Sequence, residues 1–127
     1  MNQLSNYENV VKEVTDYFHR KINELHALGA KDILIDPGFG FAKKTEQNFQ
    51  LLSALDYFKI LNKPIVVGLS RKSMIWKTLK TTPELALNGT TSLNTIALLK
   101  GANILRVHDV NEASEVCKLI LAITTSH

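Results

Sequence analysis

Cysteine is almost missing from this chain. The single residue, Cys117, excludes an internal disulfide and with it the disulfide-stapled class of small domains. It falls on the apolar side of a helical stretch, so a buried structural thiol is expected there. Long apolar runs are missing too, and none reaches the roughly 18 residues that a membrane span requires. The opening, Met1 to Asn6, is polar and carries no apolar core of a signal peptide. Together these absences point to a cytoplasmic protein. Charge of one sign is also scarce, with a formal net charge of +3 and a pI near 9.0. The adjacent basic pairs are Arg20-Lys21, Lys43-Lys44 and Arg71-Lys72, with no basic stripe interleaved with aromatics. Nucleic-acid binding is therefore not expected, whereas a pocket for a small anionic substrate fits the balance.

What is present reads as one globular unit. The chain has 127 residues, 45% hydrophobic and 21% charged, with no repeat, low-complexity tract or linker. Val10, Val11, Val14, Phe18, Ile22, Leu25 and Leu28 recur at helical steps and predict a helix over 5–28. Ser5 and Glu8 have the spacing of a capping box, and Gly29 supplies the stop. Asp32 to Asp36 reads as a short strand, apolar at its centre without alternation, which suits a parallel strand covered on both faces. A helix follows over 46–60, then a strand from Pro64 to Gly68 and a helix over 73–80. Asn88-Gly89-Thr90 is ambiguous and admits a very short strand. A helix over 91–100, a strand from Asn103 to Val107 and a closing helix over 111–123 complete the chain.

A helix followed by three or four strand–helix units implies a parallel sheet with right-handed crossovers. Two architectures share that rhythm, the open doubly wound sheet and the (β/α)8 barrel. A barrel takes about 250 residues, so length by itself favours the open sheet.

Each clear strand ends in polar or glycine-rich residues. Asp36-Pro37-Gly38-Phe39-Gly40-Phe41 follows Ile35, Gly68-Leu69-Ser70-Arg71-Lys72-Ser73 follows Val67, and Arg106-Val107-His108-Asp109 follows Leu105. Carboxyl ends of parallel strands are where such proteins place their ligands. Asp36 either starts a turn or accepts paired N–H donors from an amino-pyrimidinone edge. Arg71 and Lys72 begin a helix, where positive charge is disfavoured, so a ligand role is the better reading. Ser70 or Ser73 would cap that helix or receive a carboxylate. Arg106 within an apolar strand requires a partner, either Asp109 or a bound anion. His108 lies two positions on and so on the same side, forming an anion clamp with Arg106. No metal-ligand spacing and no nucleophile–base pair stands out, which favours catalysis by orientation and charge stabilisation.

In order and spacing, the Asp36–Phe41, Ser70–Ser73 and Gly101-Ala102…Arg106–Val110 motifs resemble dihydropteroate synthase. Tyr7 to Val11 and Asn48 to Leu55 are similar to that family as well. The resemblance implies a (β/α)8 barrel that joins a hydroxymethyl-dihydropterin pyrophosphate to para-aminobenzoate, forming dihydropteroate and pyrophosphate in folate synthesis. It implies that Asp36 binds the 2-amino/N3 edge of the pterin and Lys72 its O4/N5 side. Arg106 would stack on the ring and, with His108, face the pyrophosphate; Lys72 and Arg106 are the expected catalytic pair. Phe41, Arg71 and Ser73 would shape the para-aminobenzoate pocket, and Gly68 would let the backbone approach the pterin. Family members are about twice as long. The chain accordingly resembles a C-terminal half, the helix after strand four plus strand–helix units five to eight, as a single unit over 1–127. The resemblance implies Mg²⁺, its ligand in the absent half, and a homodimer for the full-length protein. A lone half-barrel is expected to self-associate and to be inactive. Asn88 stands where the family commonly has an arginine. A methyltetrahydrofolate-dependent methyltransferase domain and a non-catalytic pterin-binding half-barrel are the competing readings.

Overall fold

The apolar period of the first segment winds into α1 (Gln3–Ala27). This computed structural model describes residues 3–40 and 44–126. Because the helix is already under way at Gln3, the Ser5–Glu8 pair lies inside it and does not start it. Its end is as expected. Gly29 takes φ +94°, and the Ala30 N–H reaches back to the Leu25 carbonyl at 3.0 Å, a Schellman closure that only glycine adopts without strain. The apolar stripe is buried at Val10 and Val11, where α1 packs on α2 (Thr45–Ser53) and on the 3-10 helix Leu55–Leu61. Leu28, at the far end, is 83% exposed.

The helix expected over 46–60 divides into α2 and that 3-10 helix, with Ala54 at the join. Of the expected inner-face residues Phe49, Leu52, Leu55 and Phe58, the last three are core and Phe49 is half-buried, while Leu51 and Leu61 join the core as well. Phe18 of α1 meets Phe58 edge-on, with centroids 5.9 Å apart, and so ties α1 to this layer.

Three segments run parallel. Ile35 bridges Ile65. Strand β1 (Val66–Val67) pairs with β2 (Ile104–Leu105) in the register Val66↔Ile104, Val67↔Leu105. The Val66 N–H donates to the Ile35 carbonyl at 2.7 Å and the Arg106 N–H to the Val67 carbonyl at 2.9 Å. The three expected strands are thus in place, each paired over fewer residues than the apolar runs suggest. Coverage on both faces is not found. Ile35, Ile65 and Val67 are at most 1% exposed, whereas Leu34 is 56% and Ile104 43% exposed. Successive side chains point to opposite faces, so one face packs under helices and the other lies open.

Asn88-Gly89-Thr90 is helix, not strand. It forms the first turn of α4 (Leu87–Leu99), after α3 (Ser73–Thr78) and a 3-10 turn at Pro83–Leu85. Gly89 is there for close approach: a Cβ would stand 2.5 Å from Cγ2 of Ile75 on α3. The anticipated three or four strand–helix units are therefore three among the described residues. The last helix, α5 (Val110–Thr125), packs on α4 and buries Ala113 and Val116. Cys117 is exposed, against expectation. The buried stripe of α5 is narrow, and Leu119, Leu121 and Ile123 are left more than 60% exposed with it. Among the described residues, no helix is long and apolar enough to cross a membrane.

Candidate functional site

Parallel pairing brings the three strand ends to one edge, where the polar residues converge. Asp36 comes first. One carboxylate oxygen, Oδ1, accepts the Gly38 N–H at 2.9 Å in an Asx turn. The other, Oδ2, accepts Nη1 of Arg106 at 3.0 Å. The turn is therefore present, and the second oxygen is taken by Arg106. The expected Arg106–Asp109 pairing is not found. The Arg106 side chain is 57% exposed and that of Asp36 35%. An ion pair in that setting contributes about 0–1 kcal/mol, little enough for a ligand to displace.

Arg106 lies over Gly68. A Cβ at Gly68 would stand 2.5 Å from its Nη2 and 2.9 Å from its Cζ, so only glycine lets the guanidinium settle against the backbone. Gly40 also borders Lys72, a Cβ there standing at ordinary contact distance, 3.5 Å, from Cδ of Lys72, and it is its φ of +89° that favours glycine. Its N–H donates to Oδ1 of buried Asn48 at 3.0 Å, which pins the glycine loop to α2. Phe41 lies outside the described residues.

The loop after β1 is held by five hydrogen bonds from one residue, one of them from Nη1 to the Glu84 carbonyl at 3.2 Å. Arg71 adopts φ +54°, the left-handed region that costs a non-glycine residue energy. Its N–H donates to Oγ1 of Thr90 at 3.1 Å. Its side chain grips Asp109 through Nε and Nη2, at 3.1 and 3.0 Å, and the Pro83 carbonyl through Nη1 at 2.7 Å. The guanidinium is thus engaged by the protein itself. Lys72 is the N-cap of α3 and makes no side-chain capping bond, and Ser73 is the first helical residue. Ser70 turns away from the helix toward His108: Oγ lies 2.8 Å from Nδ1 and accepts the His108 N–H at 3.3 Å.

Thr90 and Asn48 were not singled out by residue type, and Asp109 and Ser70 were assigned other partners, Arg106 for the one and a helix start or carboxylate for the other. A signal did exist for two of them. Ser70–His108 and Arg71–Asp109 are each separated by 38 positions, the offset of the pairs Val66↔Ile104 and Val67↔Leu105. The strand register simply continues into the loops.

Hydrogen bonding from Arg71, reinforced by its charge, holds the Asp109 carboxyl below the usual carboxylate range, against the opposing effect of desolvation. A carboxylate with a depressed folded value contributes stability that is complete above its ordinary value, about 3.9, and lost as pH falls through the folded one. The melting-temperature advantage of the native chain over Asp109→Asn is therefore expected to be constant near neutrality and to shrink below about pH 4. Parallel melting curves of the two would show it, and a constant gap down to strong acid would contradict it.

Fold and rim together define an α/β protein of the kind that holds a small ligand at the carboxyl ends of parallel strands. The chain belongs to the pterin-binding enzyme family, whose sequence pattern it matches over residues 1–108. It is 41% identical over 124 residues to the dihydropteroate synthase of Escherichia coli K12, a match that covers 96% of this chain and 44% of that protein. The solved dihydropteroate synthase of Yersinia pestis superposes with a TM-score of 0.89 at 34% identity, covering 92% of this chain and 49% of that one. That of Xanthomonas albilineans, in complex with 7,8-dihydropteroate, gives 0.89 at 36% identity, covering 93% and 48%. The Xanthomonas albilineans enzyme has also been solved with 4-aminobenzoic acid. The chain spans less than half the length of these relatives.

Proposed function

We propose that this chain is the C-terminal part of a (β/α)8 dihydropteroate synthase, a single unit that contributes three adjacent parallel strands and their substrate-facing ends. The observation that carries the reading is the meeting of Asp36, Gly68 and Arg106 at one edge. The pterin's 2-amino/N3 edge would take the place of Nη1 on Asp36. The displaced guanidinium, already resting over Gly68, would then lie on the ring. Lys72, beside Gly40, would hold the O4/N5 side. Ser73 and Phe41 would face para-aminobenzoate, and Arg71 would shape that pocket by holding the loop backbone. Arg106 and His108 would receive the pyrophosphate.

The reaction needs no nucleophile from the protein. The bond between the pterin methylene carbon and the pyrophosphate oxygen breaks, its electron pair leaving on pyrophosphate. The arylamine nitrogen then bonds to the methylene carbon and loses a proton. The cations of the rim stabilise the departing anion and the ring positions the cationic carbon. Among the described residues, no group of three or more His, Cys, Asp or Glu could hold a metal ion. By resemblance alone, the Mg²⁺ ligand is expected in the part of the barrel outside this chain, and no step here depends on it.

In a full-length protein carrying these residues, Lys72→Ala and Arg106→Ala are each expected to slow pyrophosphate release roughly 100-fold. Unchanged release in both would sink the site assignment. For the 127-residue chain by itself, the short span relative to its relatives favours a second, binding-only reading: calorimetry with a pterin should register binding without turnover. The open sheet face at Leu34 and Ile104, with Leu119 and Leu121 of α5, supports self-association. Sedimentation at rising concentration should show it, and a stable monomer throughout would refute it.

A further inference from the structure

We propose that Ser70 is a positioning residue that fixes the tautomer of His108, so that the imidazole offers an Nε2–H donor to the anion at the rim. The inference deepens the proposed function, since it rests on Arg106 and His108 facing the pyrophosphate.

Counting hydrogens at one oxygen gives the direction. The Ser70 hydroxyl has one hydrogen and two lone pairs. One lone pair accepts the backbone N–H of His108 at 3.3 Å. Nδ1 of the same histidine lies 2.8 Å away, close enough for a strong bond in either sense. Were Nδ1 protonated, both lone pairs would be used and the hydroxyl hydrogen would need another acceptor. Ser70 is only 7% exposed, and among the described residues its oxygen makes just these two contacts. A nearly buried O–H without an acceptor is costly. The arrangement that satisfies every group has the Ser70 O–H donating to Nδ1. In the neutral ring the proton then sits on Nε2.

The consequence concerns an anion. A phosphate oxygen requires donors, and a neutral imidazole with a bare Nε2 would present a lone pair to it. With the proton fixed on Nε2, His108 is a donor without carrying a charge and stands two positions from the Arg106 guanidinium. Ser70 itself is turned to the imidazole and the His108 backbone, so its effect is exerted through His108. The register makes this possible, because Ser70 and His108 are 38 positions apart, like the paired residues of β1 and β2.

The test is ¹⁵N NMR of the imidazoles in the intact 127-residue chain at about pH 8, where an ordinary histidine is neutral. His108→Gln assigns the signals. The native chain should show Nδ1 of pyridine type and Nε2 of pyrrole type with no averaging. Ser70→Ala should bring tautomeric averaging and weaken inorganic pyrophosphate binding several-fold, and Ser70→Thr should restore both. A proton on Nδ1 in the native chain, a result that needs no variant, would overturn the inference. So would a Ser70→Ala chain with unchanged imidazole signals. If Ser70 governs the signals but pyrophosphate leaves them undisturbed in the native chain, the tautomer assignment stands and the anion-facing role of His108 falls.

Discussion

Phe58→Ala is expected to leave the chain largely unfolded or molten at room temperature. Phe58 is fully buried, closes on Phe18 at 5.9 Å, and lies in the layer joining α1 to the 3-10 helix. Removing a buried phenylalanine costs about 3–5 kcal/mol, part from lost transfer and part from the cavity left behind. A domain of this length commands about 5–15 kcal/mol in total. This one, with an open sheet face and two short strand pairings, belongs at the low end. Tyr57 next to it is 50% exposed, so Tyr57→Ala is the internal control and should change stability by much less. Urea titrations of the three proteins followed by circular dichroism would decide the matter. Equal midpoints for Phe58→Ala and the native chain would mean that the α1 layer is not part of the cooperative unit.

Asp36→Asn is expected to abolish most pterin affinity while sparing the fold. Asparagine retains an Oδ1 that accepts the Gly38 N–H, so the Asx turn survives. What disappears is the charge that pairs with Arg106 now and that, in the proposed role, would receive the donor edge of a pterin. The exposed ion pair contributes about 0–1 kcal/mol to stability, so the melting midpoint should hardly move. A hydrogen bond to a charged group is worth about 1.5–3 kcal/mol, which corresponds to roughly a 10- to 150-fold loss of affinity for each one weakened. Calorimetry with a pterin on native and variant chains measures this directly. An unaltered dissociation constant would remove Asp36 from the binding site and leave it a turn residue.

Helical periodicity was legible in the sequence because burial of one stripe imposes it, and five helices fall where apolar spacing predicts. Boundaries were less so. Asn88-Gly89-Thr90 admits a very short strand, yet it lies in the first turn of α4, where the glycine leaves room for Ile75. Cys117 reads as apolar-face and buried, yet α5 turns Ala113 and Val116 to its neighbours and leaves the cysteine exposed. Both misreadings have one cause: local pattern shows which residues favour burial, while the packing partner determines whether they receive it.

The candidate site divides along the same line. By itself the sequence determined which chemistry stands at the strand ends: a carboxylate, an ammonium, guanidinium groups and an imidazole, each placed after an apolar run. That is a local property, written in consecutive residues. Only the tertiary structure decided the pairings. Asp36 takes Arg106 from 70 positions away, Arg71 takes Asp109 in its place, and Ser70 takes His108. Those choices follow from the parallel register, which sets residues of separate strands side by side and which no single segment of the chain contains.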